Sequence, residues 1–266
     1  MTALAVEQHV QQTRAVPRRA PLTRITALEL RKMFDTRSGF WLLASIVIAA
    51  VLATAAVILF APDNELTYST FSTAIGFPIA VILPMIAILA VTSEWSQRSG
   101  LTTFTLIPRR GRVITAKAIS SVAVGVVSIP LAFAIGAVGN VIGTAIAGTG
   151  QVWDVSLSDG LHIVLGNVLG LLVGFMLGVL IRNSAGAIVA YFVYSLLLPT
   201  VFGLLANTQG WFRDLQPWVD FNYAQGALFN GGLSGEQWAN LGTAAAIWLV
   251  LPLAVGLTLV MRSEVK

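Results

Sequence analysis

The chain has 266 residues, 56% of them hydrophobic and only 11% charged, against about 25% charged in an ordinary soluble domain. That composition excludes a large soluble domain and predicts an all-α polytopic membrane protein built as one membrane domain. Cysteine is absent, which excludes disulfides, thiolate zinc sites and cysteine nucleophiles, and the net charge of +4 comes from basic residues in short loops beside apolar runs, so topology explains it and nucleic acid is not an expected partner.

Residues 1–21 are rich in Gln, Arg, Pro and Ala and hold no apolar core of signal-peptide type; they are expected to form a disordered cytoplasmic tail. A helix is expected next, over residues 22–38. Thr26 followed by Glu29 fits a capping box near its start. Leu22, Ile25, Leu30, Met33 and Phe34 share one half of its circumference, and Arg24, Arg31 and Asp35 the other. Glu29 on the apolar half and Leu28 on the polar half break the pattern. Two readings stand: an amphipathic surface helix on the inner leaflet, or a basic flank that orients the first span.

Six spans are predicted at 40–60, 73–92, 119–147, 161–181, 185–205 and 241–261, each holding roughly the 20 residues needed to cross the hydrocarbon core. The third is longer and has Pro130 near its middle, so it is expected to bend or to run past the bilayer. The charges sort with this topology. Arg14, Arg18, Arg19, Arg24, Arg31, Lys32 and Arg37 precede the first span; Arg98, Arg109, Arg110, Arg112 and Lys117 lie in the second loop; Arg182 lies in the fourth loop, and Arg262 and Lys266 in the tail. Only Arg213 falls in the alternate loops, which carry Asp63, Glu65, Asp154, Asp159, Asp214, Asp220 and Glu236. Both termini are therefore expected in the cytoplasm, in a multi-pass protein of the plasma membrane. Tryptophans lie at span ends, as indole prefers, except Trp248 inside the last span. The segment 206–240 is too polar to span and rich in aromatic residues; it is expected to form short interfacial or re-entrant helices at the outer mouth, or an aromatic-anchored loop with no part in the pathway.

The predicted spans contain no Asp, Glu, Lys or Arg. A proton-coupled antiporter usually keeps an ionisable group there, whereas sodium sites made of carbonyls and hydroxyls stay open. Paired carboxylates, a metal-ligand cluster, a serine–histidine pair and a phosphate-binding loop are all missing from the sequence, so no catalytic residue is expected and any ATP would be hydrolysed by another chain. His162 reads as an interfacial histidine. Gly166, Gly170, Gly174 and Gly178 form one small-residue stripe in the fourth span. Gly136, Asn140 and Thr144 form a more polar one in the third. Such stripes serve internal helix packing, a subunit interface or a pathway lining. Asn140 and Asn167 face either a substrate or a neighbouring helix. Pro78, Pro84, Pro199 and Pro252 bend helices or free carbonyls.

The stretch 94–117 is the most distinctive. Glu94 follows the second span; Arg98, Gly100, Leu101 and Thr102 come next, then Pro108, Arg109 and Arg112, with Lys117 opening the third span. This loop, together with the N-terminal helix, six spans and long outer loop before the last span, resembles the permeases of type-2 ABC exporters, and the likeness runs from Leu22 to the C-terminus. The resemblance implies a membrane subunit that exports a drug, antibiotic, peptide, lipid or polysaccharide and pairs with a second permease as a homo- or heterodimer; the outer half of the chain, apolar with few polar groups, narrows the expectation to an amphipathic or hydrophobic substrate such as a drug, antibiotic, peptide or lipid. The resemblance also implies two copies of a cytoplasmic ABC ATPase that hold the ATP and Mg, so that this chain binds no cofactor or metal itself. Glu94, Arg98, Gly100, Thr102, Pro108, Arg109 and Arg112 would then belong to the coupling helix seated on that ATPase, with the loop's arginines meeting acidic ATPase residues or anionic lipid. The alternatives from other classes are an ion-coupled secondary transporter and a non-transporting membrane scaffold.

Overall fold

Apolar helices longer than about 18 residues bury their backbone polar groups within themselves, which is what a bilayer demands. In the structure, a computed structural model that describes residues 21–96 and 110–262, six helices are long and apolar enough to cross a membrane. No strand occurs among the described residues. This is the build of a multi-pass membrane protein.

Helix α1 (Leu22–Asp35) precedes the first long helix, α2 (Arg37–Phe60). Helix α3 (Tyr68–Ser96), α4 (Arg110–Ala147) and α5 (Leu157–Ile181) follow. Helix α6 runs over Ser184–Thr208 and α9 over Gly235–Arg262. Between them lie α7 (Gly210–Val219) and α8 (Phe221–Gly226), continued by a short 3-10 turn to Phe229. Residues 206–240 are thus largely helical. The end of the bundle holding α7 and α8 is the cap end. The opposite end, where α3 stops and α4 starts, is the stem end.

Several boundaries differ from those expected. Thr26 and Glu29 do not form a capping box: α1 starts earlier, with Pro21 at its N-cap and no side-chain cap. Thr26 is inside the helix, its hydroxyl donating to Leu22 O (3.1 Å). The long helices also overrun the predicted spans into charged residues, with Lys117 in α4, Asp159 in α5 and Glu236 and Arg262 in α9. A helix does not stop where the apolar run stops; it stops where a cap or turn ends its hydrogen bonding. Ser156 caps α5 in a capping box with Asp159, and Ser234 caps α9 in one with Gln237.

Helix α5 is the hub, with half of its most apolar window buried in the protein against 11% for α6. Its glycines are the reason. A Cβ at Gly174 would lie 2.6 Å from Pro84 O on α3, and one at Gly178 3.3 Å from Ile88 O. Small residues here let two backbones touch, the usual device of membrane helix packing. On α4, Gly136, Gly139 and Gly143 form a trough for the fully buried ring of Phe71. Pro84 lacks the N–H that Ala80 O would accept four residues back, and Tyr191 Oη of α6 donates to that carbonyl instead (2.9 Å). Leu52, Leu59 and Phe60 on α2, and Val189, Leu196 and Leu204 on α6, are exposed. In water such a belt would cost about 25 cal/mol per Å²; hydrocarbon removes that cost.

The cap-end loop 148–156 is held over α3. Val152 O accepts from Tyr68 N (3.1 Å) and Asn140 Nδ2 (3.1 Å), and Asp154 accepts from Ser69 N (2.8 Å) and Ser69 Oγ (2.7 Å). Partial burial raises the Asp154 carboxyl, but hydrogen bonds from the Ser69 hydroxyl and amide and from Thr67 outweigh it and hold its pKa below the usual carboxylate value. A depressed native pKa gives stability that is present above the unfolded value and disappears as the pH falls through the native one.

Two outcomes are expected. Gly174→Ala lowers the unfolding midpoint in detergent, by the ~1–3 kcal/mol of an overpacked contact, whereas Gly76→Ala, with open space around it, leaves the midpoint within ~0.5 kcal/mol, as for a surface change. The protection factor of the Ser69 amide, its exchange corrected for the intrinsic rate at each pH, is expected to hold from neutral pH down to about 4, the ordinary carboxylate range, and to fall only below it. Asp154→Ala, which removes the acceptor, lowers it at every pH.

Candidate functional site

The stem end is where the sequence places its most distinctive loop, and the structure describes both of that loop's stems. Helix α3 ends at Ser96 and α4 begins at Arg110. Arg98, Gly100, Thr102, Pro108 and Arg109 lie outside the described residues. Glu94 is in the last turn of α3 and Arg112, half-buried, is in the first turn of α4.

Just beneath the loop, three helices meet on one buried ion pair. Glu29 of α1 is 6% exposed and Lys117 of α4 is 3% exposed. Lys117 Nζ donates to Glu29 Oε2 (2.7 Å) and to Ala90 O of α3 (2.9 Å). The other carboxylate oxygen, Oε1, accepts from Lys32 Nζ (2.7 Å) on the half-exposed side of α1. Ser120 Oγ, one turn beyond Lys117, is 3.2 Å from Thr26 O of α1 and 2.8 Å from Ala116 O. Ile25, one turn before Glu29 on α1, is also buried. The geometry suits the charges. Ala90 O gives the ammonium group a second acceptor beside the carboxylate. Each carboxylate oxygen has a cation, so the buried charge is answered on both sides.

A second polar contact brings in α6. Thr92 Oγ1 lies 2.7 Å from Ser184 Oγ and donates to Ile88 O (2.8 Å). The α5–α6 turn that sets Ser184 there is two residues long. Arg182 adopts a left-handed conformation (φ 56) with its N–H on Gly178 O, and Asn183 Oδ1 caps α6 at Gly186 N (2.9 Å). The base of the loop is therefore bonded to α1, α3, α4 and α6 within a few turns.

The residues singled out as packing or pathway positions separate into distinct places. Gly174 and Gly178 face α3, as described above. Gly166 lies under the Phe229 ring, with a Cβ there only 2.6 Å from Phe229 Cζ, and Gly170 faces Gln225. Gln225 Nε2 also donates to Gly166 O (2.7 Å). The stripe is thus covered along its length by this chain's own α3 and cap. Asn140, fully buried, holds the 148–156 loop through Val152 O. Asn167 Nδ2 donates to Ile163 O of its own helix (2.9 Å). His162 packs beside Trp238, with ring centroids 6.0 Å apart and the planes tilted by 55°. Among the described residues no group of three His, Cys, Asp or Glu is placed to hold a metal ion.

Sequence reasoning did not pair Glu29 with Lys117, although the signal was there. Glu29 was the misfit on the apolar half of its helix, and Lys117 was the last charge before the third apolar run. A charge facing inward asks for a counter-charge, and Lys117 is placed to supply it.

No family model matches this chain, and no curated protein matches it.

Lys117→Met is expected to lower stability by ~3–5 kcal/mol, since it strands a buried carboxylate with only the half-exposed Lys32. The Glu29→Leu/Lys117→Met double variant, read by the same detergent unfolding assay, recovers most of that loss. Additive losses would mean that the pair is not coupled.

Proposed function

We propose that this chain is the permease subunit of an ATP-driven exporter of the type-2 ABC kind. It moves an amphipathic or hydrophobic substrate out of the cell through the plasma membrane, with ATP and Mg handled by two copies of a separate cytoplasmic ATPase and a second permease completing the pathway. The observation that carries the reading is the bonded base of the loop between α3 and α4. A soluble motor can do work on a membrane helix only if the element it grips is stiff where it joins the bundle. Here the grip point would be residues 94–112, and the stiff base is Glu29, Lys117, Ala90 O and the Thr92–Ser184 contact. The sequence adds the rest: a basic second loop as expected of the cytoplasmic face, and no phosphate-binding loop of its own.

In this reading both termini, α1 and the stem end face the cytoplasm, α1 lies along the inner leaflet, and α7 and α8 sit at the outer mouth. Closure of the ATPases around ATP displaces residues 94–112, and the base passes that displacement to α1, α3, α4 and α6 together. ATP acts by favouring one arrangement of these helices over another. Glu94, Arg98, Gly100, Thr102, Pro108, Arg109 and Arg112 form the contact with the ATPase.

The test is a tagged chain purified gently from its native membranes. A stoichiometric ATPase is expected to co-purify, and Glu94→Ala and Arg109→Ala are expected to lose its association or the transport it drives while still inserting into the membrane. No ATPase in repeated preparations of intact, folded chain would contradict the proposal. So would full association and transport in both variants.

A further inference from the structure

Helices α6 and α9 each contain one π-helical stretch, Val193–Leu197 and Ala246–Val250. In both, a proline stands two residues beyond the stretch: Pro199 and Pro252. Proline has no N–H to give. Leu198 N–H reaches back five residues to Val193 O, and Leu251 N–H to Ala246 O. The amide that Tyr194 O would take in an α-helix is thereby used, and the next amide along is missing at Pro199. Tyr194 O is left for a side chain, and Asn222 Nδ2 of α8 donates to it (3.2 Å).

The cap has the complementary need. The last carbonyls of a helix have no partner within it. Val219 O, at the end of α7, accepts from Trp248 Nε1 (2.6 Å), and Trp248 lies within the π stretch of α9. The Tyr194 and Trp248 rings touch, with centroids 5.9 Å apart. So the two π stretches face each other, and the cap bonds to each of them with one hydrogen bond in each direction. The cap itself is fixed to α5 by Gln225 on Gly166 O and by Phe229 over Gly166.

We propose that the two π stretches are hinges for the cap-end halves of α6 and α9, and that α7 and α8, themselves fixed to α5, form the latch that holds them. The latch consists of the Asn222–Tyr194 O and Trp248–Val219 O hydrogen bonds, with Arg213 Nε of α7 on Ala206 O (3.1 Å) tying the cap-end half of α6 to the cap. Loosening it lets the half of α6 beyond Leu198 move relative to α5 while the stem-end half stays in place. A π turn beside a proline is a local defect in helix hydrogen bonding and a place where a helix bends. Two such defects in contact, both answered by the same cap, make a joint. The inference stands on this geometry and needs no ATPase.

The chain has no cysteine, so spin labels can be placed at will on the full protein in lipid nanodiscs. One pair, Leu161→Cys with Leu204→Cys, reports the cap-end half of α6 against α5. A second pair, Leu52→Cys with Val189→Cys, reports the stem-end half of α6 against α2. All four positions are exposed. Double electron–electron resonance is expected to show one distance for each pair in the parent protein. Trp248→Phe, which keeps a ring and loses the N–H, and Asn222→Ala each add a longer distance to the first pair. The open population rises roughly 5- to 10-fold per lost hydrogen bond, and further in the double variant. The second pair keeps its single distance. An unchanged first pair in both variants would overturn the proposal. Equal broadening of both pairs would overturn it too, since the bonds would then hold the whole bundle and not a joint.

Discussion

A carboxylate buried among packed helices is tolerated only when a counter-charge and hydrogen bonds replace the water it has lost. Glu29 meets that condition with Lys117 on one oxygen and Lys32 on the other, and the arrangement at the stem end follows from it. Because Lys117 is on α4 and also bonds Ala90 O on α3, α1 cannot leave without stranding a charge. The two stems of the 97–109 segment are held at a fixed spacing by the same ammonium group. Such a pair adds little net stability compared with an apolar replacement, but it is intolerant of losing one partner. It therefore acts more to join three elements in one register than to strengthen any of them.

The remaining contacts follow one theme: in a bundle without water, each freed carbonyl needs a named donor. Pro84 frees Ala80 O and Tyr191 answers it; the turn before Pro199 frees Tyr194 O and Asn222 answers it; the end of α7 leaves Val219 O and Trp248 answers it. Glycine does the reverse work, bringing backbones close where nothing polar is needed, as at Gly174 against Pro84. Stem end and cap end are thus built by different means. An ion pair fixes the first, and hydrogen bonds to backbone carbonyls and to the Asp154 carboxylate close the second.

The six long helices were legible because twenty-residue apolar runs have few other solutions. Their ends were less so. Hydropathy marks where the hydrocarbon stops, whereas Ser156 and Ser234 mark where hydrogen bonding starts, and Thr26 looked like a cap while sitting inside its helix. Trp248, out of place as an interfacial tryptophan, was a visible sign of the cap contact, but its partner, a backbone carbonyl, carries no sequence signature. Pro199 and Pro252 could be read as bends. The π register before them could not, since it depends on which amide bonds which carbonyl. The glycine stripe on α5 reads from sequence first as internal packing, with a subunit interface or a pathway lining as the other options, and Pro84, Gln225 and Phe229 cover it. Of the coupling positions, only Glu94 and Arg112 fall within the described residues.

The most direct test of the Glu29–Lys117 junction is a solid-state NMR distance in lipid. Rotational-echo dephasing between 15Nζ-lysine and 13Cδ-glutamate, in a Lys32→Arg/Lys266→Arg background, leaves Lys117 as the single lysine nitrogen. The account predicts strong dephasing from a hydrogen-bonded ammonium–carboxylate contact, weakened by Glu29→Gln. No dephasing, or dephasing unchanged by Glu29→Gln, would contradict it.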